Sequence, residues 1–313
     1  MSSTNTKALL SRLGPFFGLL LLIIVITAMN PSFLTASNIL NVLRQVSISA
    51  LIAFGMTFVI LTRGIDLSVG STLALTGAVA ATLLASGTDP ILAMGAALLL
   101  GLILGTINGL IITKGRVAPF IATLATMTIY RGLTLVYTDG RPVSGLGDSV
   151  VFQMMGKGYM LGIPVPVVTT VLAFAALYFI LHHTTFGRRV YAVGGNEEAS
   201  KLSGINIDRI KIGVYAITGL LAAVSALILT SRLNSAQPTA GESYELDAIA
   251  AVVLGGTSLN GGRGWIFGTL VGALIIGVLN NGMNLIGVSS FFQLVVKGVV
   301  ILLAVLLDRK KAA

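Results

Sequence analysis

Apolar residues fill this chain in long unbroken runs, with little of the alternation of a strand or the one-sided stripe of a surface helix. The runs fall at roughly 13–29, 45–61, 69–86, 91–113, 119–137, 164–182, 212–232, 246–259, 265–285 and 290–307. A helix rises about 1.5 Å per residue, so about 20 apolar residues cover the roughly 30 Å hydrocarbon core of a bilayer. The pattern predicts an all-α polytopic membrane protein with ten transmembrane helices. Several runs are short of that length, and 246–259 is the weakest. Most gaps are short, which makes consecutive helices antiparallel neighbours. Only 138–163 and 183–211 are long polar segments, and no linker separates domains, so residues 1–313 read as one transmembrane domain.

Positive charge falls on alternate gaps. With the N-terminus inside, the outer segments hold only Arg44, Arg141, Lys157 and Arg232, while Arg131 and Lys297 lie within runs; the rest of the 20 Lys and Arg fall on inner segments. Basic residues resist translocation, so both termini are expected in the cytoplasm, with 138–163 and 233–245 outside. Lys7 and Arg12 before an apolar stretch resemble a signal peptide, but the run 13–29 is long for a signal core and reads as a retained first span. The chain is 55% hydrophobic and 10% charged, too apolar for a soluble domain. Its net charge of +9 sits in short loops with no basic–aromatic patch, so topology explains it and no nucleic-acid partner is expected.

A weak internal repeat is visible at an offset near 170. "ILTRG" (60–64) meets "ILTSR" (228–232), and Gly105, Asn108, Gly115 and Phe120 meet Gly277, Asn280, Gly287 and Phe292. Spans 2–5 then correspond to spans 7–10. The intervening odd span inverts the second copy, a common way to build a transport path around the midplane. Gly101, Gly105 and Gly109, and likewise Gly268 and Gly272, recur every four residues, the spacing that lets membrane helices pack closely.

Chemistry is sparse. "GGTSLNGGRG" (255–264) lacks the Lys-Ser/Thr of a phosphate loop. His182 and His183 have no third ligand near them, the chain has no cysteine, and no metal site, resident cofactor or catalytic constellation is expected. All acidic residues fall in gaps or at span ends. Ion-coupled carriers usually bury a carboxylate, which argues against coupling here. Arg131 and Lys297 read either as snorkelling side chains or as the polar wall of a substrate path. Thr123, Thr126, Tyr130 and Thr134 join Arg131 on span 5, and Gln293 precedes Lys297 by a turn on span 10. Hydroxyls and an amide suit weak bonds to an uncharged polyol, so these are the substrate-path candidates. Outside, Arg141, Asp148, Lys157, Glu242 and Glu245 are candidate docking charges.

Residues 194–208, "GGNEEASKLSGINID", predict a short cytoplasmic helix over 197–203. Asn196 is the N-cap, Glu197 and Glu198 oppose the dipole's positive end, and Gly204 takes the left-handed C′ position. Two turns are not stable alone, so the helix must dock on a partner or on its own membrane domain.

"LTRGIDLSVGS" (61–71), "KGRVAPFIATL" (114–124), "GGNEEASKLSGI" (194–205) and "SAQPTAGESYELDAIAAVVLGGTSLNGGRG" (235–264) resemble the permease subunits of bacterial ribose ABC importers over nearly the whole chain. The resemblance implies a type II-like permease fold of ten helices in the bacterial inner membrane. It also implies an assembly of two permease copies, a cytoplasmic ABC ATPase that binds ATP and Mg, and a periplasmic sugar-binding protein. Asn196, Glu197, Glu198, Ala199, Gly204 and Ile205 fall on that family's ATPase-contacting loop, with Ser200 where Ala is usual. The expected function is movement of a monosaccharide, D-ribose first, without catalysis by this chain. The alternatives are an autonomous carrier or channel and, third, a membrane-embedded enzyme.

Overall fold

The computed structural model describes residues 3–312, with side chains over residues 14–306. Lys7, Arg12, Arg309, Lys310 and Lys311, which carry part of the orientation argument, lie outside the described side chains. Every apolar run is a helix. The long elements are α1 (Ser3–Met29), α2 (Ala36–Leu61), α3 (Val69–Ala85), α4 (Pro90–Thr113) and α5 (Pro119–Thr138). The first long polar segment adds a short α6 (Val150–Lys157) and a two-stranded antiparallel hairpin, β1 (Tyr159–Met160) and β2 (Ile163–Pro164). Then come α7 (Val165–His183), the pair α8 (Thr185–Gly195) and α9 (Glu197–Leu202) in the second polar segment, and α10 (Ile207–Leu233), α11 (Tyr244–Leu254), α12 (Ile266–Leu285) and α13 (Ser290–Ala312).

Sequence sets the ends. The Asp89 carboxylate accepts the N–H groups of Ile91 and Leu92 ahead of Pro90, and Asn206 caps α10 by accepting the Arg209 N–H. Six helices, α2, α4, α5, α7, α10 and α12, are long and apolar enough to cross a membrane, by length and composition. Gly14–Met29, Val69–Ala85 and Ser290–Leu306 are shorter apolar helices. The run 246–259 departs from the expectation. Its helix, α11, has 11 residues and stops at Gly255 and Gly256. At 1.5 Å per residue it is about 16 Å long, half the thickness of the hydrocarbon core.

Helix α2 is the centre. It is enclosed from Ala50 through Leu61 and packs against α10, α11, α12 and α7. A helix apolar on every side belongs inside. Large apolar side chains such as Phe17, Val136, Leu172 and Phe291 face outward on α1, α5, α7 and α13. That much exposed hydrocarbon suits lipid or another chain, not water. The packing has a pattern. Helix α4 lies along α10 as α12 lies along α2. Helix α3 packs with α10, α4 and α5, and α11 packs with α2, α12 and α13. Exchanging α2–α5 with α10–α13 turns each of these contacts into another. The turns that end α3 and α11 match as well. Each passes through a left-handed glycine, Gly87 or Gly256. The next N–H then closes the turn: Thr88 donates to the Leu83 carbonyl, and Thr257 to the Val252 carbonyl.

Small residues permit the closest approach. The backbone carbonyls of Gly219 and Tyr215 on α10 lie against Gly101 and Gly105, and a methyl on Gly109 would sit 2.6 Å from Ile212 Cα. On α12, Gly268 and Gly272 meet the carbonyls of Gly255 and Ala251 in the same way. Hydroxyls add bonds between helices: Thr57 to Thr269 at 2.7 Å and Ser225 to the Ile48 carbonyl at 3.1 Å. Between α13 and α11, Lys297 Nζ pairs with Asp247 Oδ2 at 2.9 Å, with side chains only 20% and 8% exposed.

Two outcomes follow from this packing. Gly105→Leu should part α4 from α10, cost roughly 1–3 kcal/mol and lower the melting temperature in detergent. Gly95→Ala, with open space around it, should be neutral or stabilising by up to about 1 kcal/mol. Equal melting of the two variants would remove the glycine stripe as a packing surface. Lys297→Met leaves a buried carboxylate unpaired and should cost about 3 kcal/mol. Adding Asp247→Asn should recover most of that loss in the same melting experiment; a double variant no more stable than the single one would mean the ion pair does not hold α13.

Candidate functional site

Two regions carry the polar chemistry. The first lies where α3 and α11 begin. Their N-terminal ends meet inside the molecule: the Gly241 carbonyl occupies the place that a Cβ on Gly70 would take, and Glu245 Oε2 is 3.0 Å from the same point. Helix N-termini expose unpaired N–H groups and positive dipole ends, so acidic and hydroxyl groups belong there. Asp66 is buried with its Oδ1 accepting Ser68 N–H at 2.9 Å and Ser68 Oγ–H at 2.7 Å, and Asn108 Nδ2 donates to Ser68 Oγ at 2.7 Å. Asp247, in the first turn of α11, is also buried and pairs with Lys297. The sequence places both acids near helix ends, as expected, but those ends are interior. Two carboxylates are therefore buried, which corrects the expectation that none is. Among the described residues, no group of three His, Cys, Asp or Glu is placed to hold a metal ion.

The predicted hydroxyl face of α5 is buried. Thr123 Oγ1 donates to the Ile65 carbonyl at 3.1 Å, and Tyr130 Oη donates to the Leu104 carbonyl at 3.1 Å. Thr126 and Thr134 donate to carbonyls of their own helix. These groups hold the loop 62–68 and α4 in place. Tyr215 reaches the same Ile65 carbonyl from α10, at 3.3 Å. Gln293 Nε2 donates to Asn284 Oδ1 and the Val288 carbonyl. Neither in-span cation snorkels. Arg131 Nη1 donates to the carbonyls of Pro238 and Ala240, at 2.6 and 2.9 Å, and Lys297 is in its ion pair. Of the path candidates only Arg131 lines an open cavity of about 520 Å³, together with Ser71, Thr128, Glu242 and Glu245. The hydroxyls expected on the path thus belong to the packed face of α5; its open face runs through Thr128, Arg131 and Leu135.

The second region is α9. Asn196 Oδ1 accepts the Ala199 N–H at 3.0 Å, as its N-cap role requires. Gly204 has φ +79, and the Ile205 N–H closes the turn on the Ser200 carbonyl at 3.0 Å. Glu197 pairs with Lys211 at 2.8 Å, which leaves Glu198 and Ala199 on the exposed side. Leu202, which no sequence signal marks, is 90% exposed. An open cleft of about 990 Å³ runs beside α9, walled by Lys114, Arg116, Glu198 and Lys201.

Arg63 does more than the topology charge expected from the sequence. Its Nε and Nη2 donate to the Gly194 and Gly195 carbonyls, each at 2.7 Å. A cation at a helix C-terminus satisfies unpaired carbonyls and opposes the dipole. The Gly262 N–H donates to the Leu61 carbonyl at 3.0 Å, so the end of α2, the end of α8 and the loop 258–263 are tied together. Arg63 stands inside "LTRGIDLSVGS", and that motif is the one clue to it in the sequence.

The chain can now be set beside known proteins. It is 67% identical over 304 residues to the ribose import permease protein of Bacillus subtilis (strain 168), covering 97% of this chain and 94% of that one. It is 55% identical over 308 residues to the ribose import permease protein of Escherichia coli (strain K12), covering 98% and 96%. The D-allose transport system permease protein of the same strain is 42% identical over 300 residues, covering 95% and 91%. A solved metal-chelate-type ABC transporter in an inward-facing conformation superposes with a TM-score of 0.50 at 13% identity, covering 86% of this chain and 89% of that chain, which shows a shared fold. The family model described as the branched-chain amino acid transport system / permease component matches residues 38–305, and this multi-helix membrane chain belongs to that family.

Proposed function

We propose that this chain is the inner-membrane permease subunit of a binding-protein-dependent ABC importer, and that it moves ribose into the cytoplasm. The sugar is taken from the ribose import permeases that it resembles over almost its full length. The observation that carries an ATP-driven mechanism is α9, a capped two-turn helix with Glu198, Ala199 and Leu202 turned outward. A helix this short needs a surface to dock on. A solvent-facing Leu beside a polar cleft fits a protein groove, where a lone apolar anchor fills a pocket. ATP and Mg are bound and hydrolysed on that partner, and this chain supplies the gated path.

On this reading the ten helices α1–α5, α7 and α10–α13 form one permease domain, residues 1–313, with α11 and α3 reaching only part of the way across. Both termini are cytoplasmic. The inverted repeat of spans 2–5 and 7–10 is supported by the exchange symmetry of the helix contacts and by the matching turns after α3 and α11. Two copies assemble around the path, and the exposed apolar faces of α5 and α13 are available for that contact. A periplasmic sugar-binding protein delivers substrate to the outer loops. An autonomous carrier is the alternative reading, and reconstitution separates the two. The chain alone in liposomes should move no ribose, whereas addition of the ATPase, ATP and the binding protein should start uptake. Uptake by the chain alone would overturn the proposal.

Helix α9 can be tested separately. Gly204→Val forces a β-branched residue into a left-handed conformation, at a cost of roughly 1–2 kcal/mol. Leu202→Asp removes the apolar anchor without touching the fold. Both variants should insert normally and co-purify with at most a tenth of the wild-type amount of ATPase. Wild-type recovery for both would leave α9 as a lipid-surface segment.

A further inference from the structure

The cavity of about 520 Å³ between α5, the start of α3 and the segment before α11 has an unusual polar inventory. Glu242 and Glu245 are acceptors only, and neither forms an ion pair among the described residues. Ser71 Oγ donates to the Ser68 carbonyl at 2.9 Å, and Thr128 Oγ1 to the Leu124 carbonyl at 3.1 Å. A hydroxyl whose proton is committed to its own helix offers only lone pairs to a ligand. Arg131 Nη1 holds two backbone carbonyls, which leaves its other N–H groups as donors to the cavity.

This mixture selects among ligands. An anion would meet two carboxylates, and a cation would meet the Arg131 guanidinium. An apolar ligand would strand all five polar groups. An uncharged molecule with several adjacent hydroxyls satisfies the set, because each hydroxyl donates to a carboxylate or Ser/Thr oxygen and accepts from Arg131. A pocket of this volume is in the range that holds small ligands. Its bonds to the ligand are replaceable by water, so binding is weak enough to permit release, as transport requires.

We propose that Glu242, Glu245, Ser71, Thr128 and Arg131 form a polyol subsite on the translocation path, with the two carboxylates as the principal acceptors for sugar hydroxyls. The inference deepens the proposed function and rests on it. It also replaces the packed hydroxyl face of α5 with the open one, and moves Glu242 and Glu245 from partner docking to substrate contact.

The test uses the assembled complex of permease, ATPase and binding protein in proteoliposomes. Glu242→Gln/Glu245→Gln keeps size and exchanges carboxylates for amides; ribose uptake should fall at least tenfold with the complex still recovered in wild-type amount. The chain has no cysteine, so Thr128→Cys gives a single label site. Its modification by a small water-soluble thiol reagent should slow at least twofold in saturating ribose and stay unchanged in an equal concentration of sodium chloride. If the double variant fails to assemble, the labelling decides. Wild-type uptake by the double variant, or labelling indifferent to ribose, would overturn the subsite while leaving the importer reading intact. A wild-type complex that imports no monosaccharide would overturn both.

Discussion

Two helices of this protein begin in its interior, and much of the architecture answers the demands of those ends. A helix N-terminus leaves backbone N–H groups unpaired, and hydrocarbon supplies no water to satisfy them. The ends of α3 and α11 must therefore lie in protein or against an aqueous cavity. Asp66, Ser68 and Asn108 answer the demand at α3, Asp247 and Lys297 surround the first turn of α11, and Gly70 and Gly241 let the two meet backbone to backbone. A Cβ on Gly70 would push the ends apart, and the polar cluster with them. Broken helices and a polar cavity occur together because the same unpaired groups require both.

The same region is mechanically connected to the face that carries α9. Arg63 follows directly on α2, grips the last carbonyls of α8 and leads into the loop 62–68 that starts α3. That loop is pinned in turn by Thr123 of α5 and Tyr215 of α10 at one carbonyl, Ile65. If α9 is displaced by an ATPase, the load passes through α8 and Arg63 into the centre of the molecule, not through a flexible tether. The central helix α2 is close-packed throughout, and close-packed elements shift as units. The proposed coupling thus needs no long-range device beyond a short lever and a stiff core.

Much of this was legible in the sequence, and the physical reason differs from part to part. Helix positions were legible because long apolar runs have one stable arrangement in lipid, and α9 because its caps are local chemistry. The weak run at 246–259 marked a real difference, since a helix that starts inside the molecule has no need of 20 apolar residues. What remained hidden depends on tertiary direction. Thr123, Thr126, Tyr130 and Thr134 share a face of α5, but nothing in their spacing says whether that face meets the cavity or α3 and α4. Asp66 and Asp247 look like loop acids because their burial comes from elements distant in sequence. Leu202 looks like an ordinary apolar residue until its neighbours turn away from it.

Arg131 and Lys297 show the limit most clearly. Both are single cations in otherwise apolar helices, and by the repeat they are counterparts. Their surroundings separate them. Lys297 is a compact charge neutralised by one buried carboxylate, which spends its interaction on holding α13 to α11. Arg131 spreads its charge over a planar fork, so one nitrogen can anchor the segment before α11 while the others remain free. An ammonium in that position would have to choose between the carbonyls and the cavity. The residue type at each place therefore fits a division of labour between the two halves, with one cation closing the structure and the other able to fix a backbone and face a passing ligand at once.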